Sequence, residues 1–317
     1  MEIIRLDDLT VRFTQGSFNK RIVYALRDVS LSINENEAVT ILGESGAGKT
    51  TLARVLLALE KPTSGKYLFM GRNVWKDRKA RKLIRKEVQY IYQDPISALN
   101  PSKTIGSSLS YPIKKHLKLK GEALRSKIFE LLNAVGLDES IAGRYPSELS
   151  GGQLQRVNIA RAISVNPKVL IADEPVTMLD ASYRIGIIDL LADLKKKMNM
   201  TLVMITHDLA IAKYFDYKVG GSKSFVIYGG RLVEEGYVSD IIKSPLHPYT
   251  KFLVSSYIDI NGNYNSLEFL KYKEGGISSQ GCPFNERCPY VKDACTKEFP
   301  RYTSMDGRKV ACYLYGG

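Results

Sequence analysis

Three short runs of the chain are apolar with almost no alternation: Ala38-Val39-Thr40-Ile41-Leu42, Lys168-Val169-Leu170-Ile171-Ala172 and Thr201-Leu202-Val203-Met204-Ile205-Thr206. A fourth, Val88-Gln89-Tyr90-Ile91-Tyr92, has strand character and ends at Gln93-Asp94-Pro95. Between them, apolar residues recur at helical spacing. Leu124, Ile128, Leu131, Leu132 and Val135 precede a stop at Gly136, and Ile187, Ile188, Leu191 and Leu194 form a second stripe. Strands apolar on both faces, alternating with helices, predict a parallel sheet covered on both sides. Residues 3–33 read differently. Pieces such as Thr10-Val11-Arg12-Phe13 and Val29-Ser30-Leu31-Ser32-Ile33 alternate apolar and polar around the turn cluster Gly16-Ser17-Phe18-Asn19, which predicts short antiparallel strands. Pro62-Thr63-Ser64-Gly65 marks a turn before a strand over Lys66–Gly71, and Val226–Val233 reads as a hairpin closing the domain.

Gly43-Glu44-Ser45-Gly46-Ala47-Gly48-Lys49-Thr50-Thr51 stands between the first apolar strand and the helix-prone Leu52–Leu57. Strand, glycine-rich loop and helix in that order give the phosphate-cradling pattern its meaning. Glycines let successive N–H groups turn inward on an anion, and the helix adds the positive end of its dipole. Lys49 is then expected to reach the β- and γ-phosphates of a nucleoside triphosphate, and Thr50 to hold Mg²⁺. The other parallel strands deliver Asp173 and His207 at the same sheet edge, where ligands of open α/β sheets bind. Asp173 is suited to hold Mg²⁺ through water, and Glu174 to orient the attacking water or accept its proton. Leu149-Ser150-Gly151-Gly152-Gln153 opens another helix; Ser150 reads as its cap, and equally as part of an anion site in a separate helical lobe.

Composition changes this picture in three places. At 317 residues the chain is long enough for one large core and a smaller appended unit. The N-terminal Met1–Asp8 lacks the basic start and apolar core of a signal peptide, and the best membrane-span candidate, Leu52–Leu59, is short and interrupted by Arg54, so any membrane association is expected to be peripheral. The formal charge is +13, with basic runs at Lys76–Lys82, Lys114–Lys120 and Lys195–Lys197. Nucleic acid is one reading of them; solvated helix faces beside anionic lipid are the other, favoured because no aromatics are interleaved.

In these motifs the chain resembles the ATP-binding subunits of ABC transporters. The resemblance covers the phosphate loop Gly43–Thr50, Gln93, the signature Leu149–Gln153, the Asp173/Glu174 strand, Met178-Leu179-Asp180 and the switch histidine His207, in family order. It implies an α/β fold with a mainly parallel core sheet, an antiparallel β-subdomain and a helical subdomain over about 94–160, within a nucleotide-binding domain spanning 1–243. It further implies Glu174, His207, Gln93 and Asp180 as catalytic residues, Gln93 also as a Mg²⁺ contact, and a head-to-tail dimer. There, each ATP lies between the phosphate loop of one subunit and Ser150, Gly151, Gly152 and Gln153 of the other. The base-stacking aromatic of the family matches Phe13, with Phe18 and Tyr24 as competitors.

Gln93–Pro101, Tyr145–Leu149 and His247-Pro248-Tyr249-Thr250 are similar to importer ATPases for di- and oligopeptides, a group that also serves nickel and oligosaccharides. This implies a second homologous ATPase chain forming a heterodimer, two transmembrane permease subunits, an extracytoplasmic solute-binding protein, and a place on the cytoplasmic face of the membrane. Two departures stand out: an insert-like Gly220-Gly221-Ser222-Lys223-Ser224, and Thr177-Met178 where the family has Ser-Ala. The alternative class is a soluble ABC ATPase acting on nucleic acid or ribosomes, although the chain has one cassette and no coiled-coil or zinc insertion. A cassette that only binds ATP conflicts with Glu174 and His207.

All four cysteines, Cys282, Cys288, Cys295 and Cys312, fall in the extension 244–317. Four thiols in a chain without an export signal favour metal over disulfides. Paired C-x-x-C spacing, the usual zinc sign, is absent, and four thiolates suit an iron–sulfur cluster. The tail resembles those of peptide importer ATPases that carry a [4Fe-4S] cluster; zinc and unligated thiols remain the alternatives.

Overall fold

The computed structural model describes residues 1–15, 21–256 and 275–316. The chain opens with two antiparallel strands, β1 (Glu2–Gln15) and β2 (Arg21–Asn34), followed by β3 (Ala38–Leu42) and helix α1 (Lys49–Leu56). β4 (Ser64–Phe69), β5 (Arg72–Asn73), α2 (Arg78–Glu87) and β6 (Val88–Ile91) lead to the helical lobe. That lobe comprises α3 (Ile105–Leu117), α4 (Gly121–Ala134) and α5 (Gly151–Ile163). β7 (Val169–Asp173), α6 (Ala181–Met198), β8 (Thr201–Thr206), α7 (Leu209–Val219), β9 (Lys223–Tyr228) and β10 (Arg231–Tyr237) return to the sheet. α8 (Val238–Lys243) follows, and the tail adds α9 (Pro248–Ser255), α10 (Asp293–Lys297), β11 (Tyr302–Met305) and β12 (Arg308–Ala311).

One sheet is ordered β2-β1-β4-β5, the other β11-β12-β10-β9-β3-β8-β7-β6, with β9, β3, β8, β7 and β6 mutually parallel. The near-absence of alternation in β3, β7 and β8 follows from burial on both faces. Val39, Ile41, Val169, Ile171, Val203 and Ile205 pack toward α1 and the antiparallel sheet; Ala38, Leu170, Ala172, Leu202 and Met204 pack toward the helices. Side chains two residues apart share a face, so both sets come from the same strands.

Residues 3–33 form two 14-residue strands rather than several short ones. Their alternation breaks because the ladder shifts register between Leu6 and Val11, with Asp8 and Asp28 at φ 45° and 50°. Bulges of this kind keep a strand paired while re-aiming its side chains. The turn cluster between them, with Phe18, lies outside the described residues. Gly220 to Ser224 is not a loose insert: Gly220 caps the end of α7 and Lys223 and Ser224 begin β9. Gly220 and Gly221 donate to the Asp216 carbonyl at 3.1 and 2.9 Å, and Ser222, fully buried, hydrogen-bonds Thr40. Two of the three basic runs have local roles. Lys114, Lys115 and His116 end α3 and Lys195–Lys197 end α6, where positive charge opposes the helix dipole.

The β9–β10 hairpin does not close the sheet. β12 pairs with β10 at Glu234↔Val310 and Glu235↔Lys309, and β11 pairs with β12, so the tail contributes the last two strands. Their connection, Asp306-Gly307, has positive φ at both residues, the two-residue hairpin signal. Phe284 anchors the rest of the tail. It is fully buried, with ring centroids of Tyr228 at 5.3 Å and Tyr249 at 5.5 Å. An aromatic so placed is worth about 3–5 kcal/mol against truncation to Ala.

Candidate active site

β3 ends at Leu42 and α1 begins at Lys49, so the phosphate loop spans the gap between a buried strand and a helix N-terminus. Glycine is needed at Gly43 and Gly48 for close approach: a Cβ there would meet the Ile227 carbonyl oxygen at 2.3 Å and that of Ala25 at 2.4 Å. Gly48 also sits at φ 105°. The Lys49 side chain is almost wholly buried, and its ammonium donates to the carbonyls of Gly43 (2.7 Å) and Glu44 (2.9 Å). Burial lowers the Lys49 pKa, and the Glu174 and Asp173 carboxylates oppose that shift.

At the end of β7, Asp173 accepts hydrogen bonds from the Thr50 hydroxyl (3.0 Å) and from the Tyr90 hydroxyl (2.7 Å). Burial raises the Asp173 carboxyl pKa against the pull of these bonds, and Glu174 adds to the rise. The Thr50–Asp173 pair fits a divalent cation, whose charge would reverse that penalty. Gln93 is not part of this pair; its amide donates to Glu174 Oε2 at 3.3 Å.

Glu174 is where the strand ends converge. Its backbone is left-handed, φ 46°, and its N–H donates to the Ile205 carbonyl of β8. Oε1 lies 2.9 Å from His207 Nδ1 and 3.7 Å from the Lys49 ammonium; Oε2 accepts from Gln93 and from the Thr177 hydroxyl at 3.2 Å. A carboxylate held by four groups around one position has the geometry of a general base. Tyr90 and Thr177 are functional contacts that motif reading missed. Thr177 keeps the hydroxyl of the Ser it replaces, and Tyr90 sits on the strand that pairs with β7.

The other sequence-derived residues lie elsewhere. Ser150 caps α5: its Oγ accepts from Gln153 N–H while Gln153 Oε1 accepts from Ser150 N–H. No hydrogen bond among the described residues joins Ser150, Gly151, Gly152 or Gln153 to the phosphate loop of this chain. Asp180 is at the N-cap of α6, without a side-chain cap bond, and does not join Glu174. A cavity of about 290 Å³ beside Gly46 is walled by Ile22, Val23 and Tyr24 and, from the tail, by Ile277 and Pro283. Among the described residues, Tyr24 is the aromatic in that wall. Phe13 is across the ladder from Val23 and 39% exposed.

Cys282, Cys288, Cys295 and Cys312 are buried and unpaired, and all four line one small cavity with His247. Burial, then their mutual proximity, pushes Cys282 up to about 12 and Cys288 up to about 11. Cys282 N–H donates to the Cys295 carbonyl at 2.8 Å. Four soft donors around one cavity suit a thiolate-bound group in kind. Their positions are not those of a formed coordination sphere: no group of three or more His, Cys, Asp or Glu among the described residues is placed to hold a metal ion.

A phosphate loop on a parallel sheet, a cation pair and a strand-end glutamate define a phosphate-loop ATPase with a signature helix in a separate lobe. Comparisons with known proteins extend this. The ABC transporter family model matches residues 26–177, and the model for the C-terminal region of oligopeptide/dipeptide transporters matches 233–295. The oligopeptide transport ATP-binding protein AppF of Bacillus subtilis is 37% identical, covering 99% of this chain and 97% of its own. The dipeptide transport ATP-binding protein DppF of Escherichia coli is 37% identical over 93% of this chain and 88% of its own. Among solved structures, the dimeric cassette MJ0796 bound to ADP and Pi has a TM-score of 0.66 at 31% identity, over 74% of this chain and 99% of that one. CbiO1 of Clostridium perfringens, part of an ABC transporter complex, also scores 0.66, at 27% identity over 85% and 98%. The chain belongs to the ATP-binding subunits of the oligopeptide/dipeptide family of ABC transporters, and it is an ATPase. No helix among the described residues is long and apolar enough to cross a membrane.

Proposed function

We propose that this chain hydrolyses ATP to drive peptide import, at the cytoplasmic face of a membrane, beneath two transmembrane permease subunits. Its partner is a homologous ATPase chain in a heterodimer, and an extracytoplasmic solute-binding protein delivers the peptide. The observation that carries the reading is the Glu174 carboxylate, held between the buried Lys49 ammonium and His207. Relatives named for peptide transport support peptide over oligosaccharide or nickel. They lend nothing to the nucleic-acid alternative, and the basic runs fit helix ends and an anionic lipid surface instead.

In the mechanism this reading implies, the phosphate-loop N–H groups and Lys49 hold the β- and γ-phosphates, and the base lies along the Val23–Tyr24 wall, with Phe13 on the strand paired to it. Thr50 and Asp173 hold Mg²⁺, which when bound neutralises charge on the phosphate oxygens. Glu174 orients a water and takes its proton as the water attacks the γ-phosphorus and the bond to ADP breaks. His207, Gln93 and Thr177 fix that carboxylate; Asp180 and the signature residues act across the dimer.

The test is co-purification with the permease and solute-binding subunits, followed by ATP-driven uptake into proteoliposomes. Uptake of a labelled peptide is expected; uptake of an oligosaccharide alone would replace the substrate class, and turnover stimulated by RNA without permease would overturn the reading. In the same vesicles Gln93→Ala is expected to cut uptake by about tenfold while ATP affinity stays within about twofold, because its amide touches Glu174 and not the phosphate loop. Equal loss of both would make Gln93 a structural residue.

The four thiols, in the same reading, would hold one [4Fe-4S] cluster, which would add a cross-link to the segment that Phe284 already anchors on the main sheet. Protein purified without oxygen is expected to be brown, with about four iron atoms per chain. One tightly held zinc, or intact tail structure with no metal, would overturn the cluster.

A further inference from the structure

Two tail stretches that the hydrolytic chemistry leaves unused, His247-Pro248-Tyr249-Thr250 and Gly281–Pro289, converge on a single residue of the phosphate loop. Arg287 donates to both carboxylate oxygens of Glu44, Nη1 to Oε2 at 3.1 Å and Nη2 to Oε1 at 3.3 Å. The Tyr249 hydroxyl accepts the Glu44 backbone N–H at 2.8 Å. Both partners are rigidly held. The guanidinium of Arg287 donates to the Tyr228 hydroxyl at 3.1 Å and lies over the rings of Phe252 (4.6 Å), Phe284 (5.3 Å) and Tyr228 (5.7 Å). Tyr249 is fully buried, at the start of a helix whose entry is fixed by Glu234, which accepts from the N–H groups of Leu246 and His247.

From Glu44 the connection continues into the site. Its carbonyl accepts from the Lys49 ammonium, the group that meets the phosphates. We infer that Arg287 and Tyr249 are positioning residues for the phosphate loop, by which the cysteine-containing tail sets the affinity for MgATP. This rests on the reading of Gly43–Thr51 as the phosphate site. The argument is electrostatic as well as steric. Glu44 places a carboxylate in a loop that must receive a polyanion, and Arg287 neutralises that charge while the two-pronged contact turns it toward the tail. Tyr249 takes the Glu44 N–H and so anchors the first turn of the loop, leaving the remaining N–H groups and Lys49 for the phosphates. Arg287 also lies between Cys282 and Cys288 in the chain, so the packing of the thiols and the setting of the loop share one short segment.

The test measures MgATP affinity of the full chain by titration with a fluorescent ATP analogue. Arg287→Met is expected to weaken binding by about tenfold, the scale of one charge-assisted hydrogen bond, because it leaves the Glu44 carboxylate unneutralised beside the phosphates. Adding Glu44→Gln to that variant is expected to restore affinity to within about threefold of wild type, since the repelling charge is gone. A residue that merely packs the tail gives no such rescue. Tyr249→Phe keeps the buried ring, loses only the acceptor, and is expected to weaken binding about threefold. The inference is overturned if Arg287→Met binds as wild type or if Glu44→Gln fails to rescue a folded Arg287→Met chain. Should Arg287→Met not fold, wild-type affinity in Tyr249→Phe overturns it. Lys49→Ala separates the underlying site from the latch: undiminished MgATP binding there would refute the phosphate-loop assignment whatever Arg287 does.

Discussion

Glu174→Gln is expected to lower steady-state ATP hydrolysis by on the order of a hundredfold or more while MgATP binding is kept. The substitution preserves shape and one acceptor oxygen. It removes the charge that His207, Gln93, Thr177 and Lys49 surround, and with it the capacity to take a proton from water. A hundredfold corresponds to about 2.7 kcal/mol of lost transition-state stabilisation, within the range of a single general base. Binding survives because the groups that meet the nucleotide, Lys49 and the Thr50–Asp173 pair, are untouched. One negative charge fewer near the γ-phosphate favours the bound state further. Phosphate release and nucleotide titration, measured on a dimer in which every active chain carries the substitution, separate the two effects. Near-normal turnover would remove Glu174 from the chemistry.

The parts of this site legible in the sequence are those that topology delivers. A strand buried on both faces is an apolar run, and in a parallel sheet the residue after each run lies at the ligand edge, which is why Gly43, Asp173, Glu174 and His207 were recognisable together. Local signals failed where pairing is irregular or distant. The register shifts at Asp8 and Asp28 disguised two long strands as fragments. Asp306-Gly307 is an ordinary hairpin signal, but nothing near it says that the hairpin joins β10, some 70 residues earlier. Arg287 and Glu44 are 243 residues apart, and no spacing rule links an arginine between two cysteines to a glutamate in a phosphate loop. Thr177 stands where the family has Ser, and the hydroxyl that Glu174 contacts is common to both residues. The aromatic beside the base was ambiguous for a different reason. β1 and β2 pair through the very segment that carries both Phe13 and Tyr24, and only the fold shows which of them lines the cavity.

The signature segment presents the opposite case, a motif whose local structure is complete without any contact to this chain's phosphate loop among the described residues. Ser150 and Gln153 satisfy each other as a reciprocal cap, which accounts for both residues without any ligand. Gly151 is exposed in the first turn of α5 while Gly152 is buried beside the Tyr183 ring, and no bond among the described residues leads from this turn to the phosphate loop; the first turn of a helix carries N–H groups without intrahelical partners and the positive end of the dipole. The cassette MJ0796, to which this chain is similar, was solved as a dimer bound to ADP and Pi. If Ser150 acts across the dimer as proposed above, Ser150→Arg is expected to abolish hydrolysis and to leave MgATP affinity of the isolated monomer within about twofold of wild type, since the phosphate it would serve belongs to the partner chain. Arginine cannot replace the cap, so α5 is expected to lose about 1 kcal/mol at its first turn, too little to unfold the lobe. Thermal unfolding of the variant serves as that control. A sharp fall in monomer affinity would place Ser150 on its own chain's nucleotide, and sustained hydrolysis by a fully substituted dimer would remove the signature segment from the site altogether.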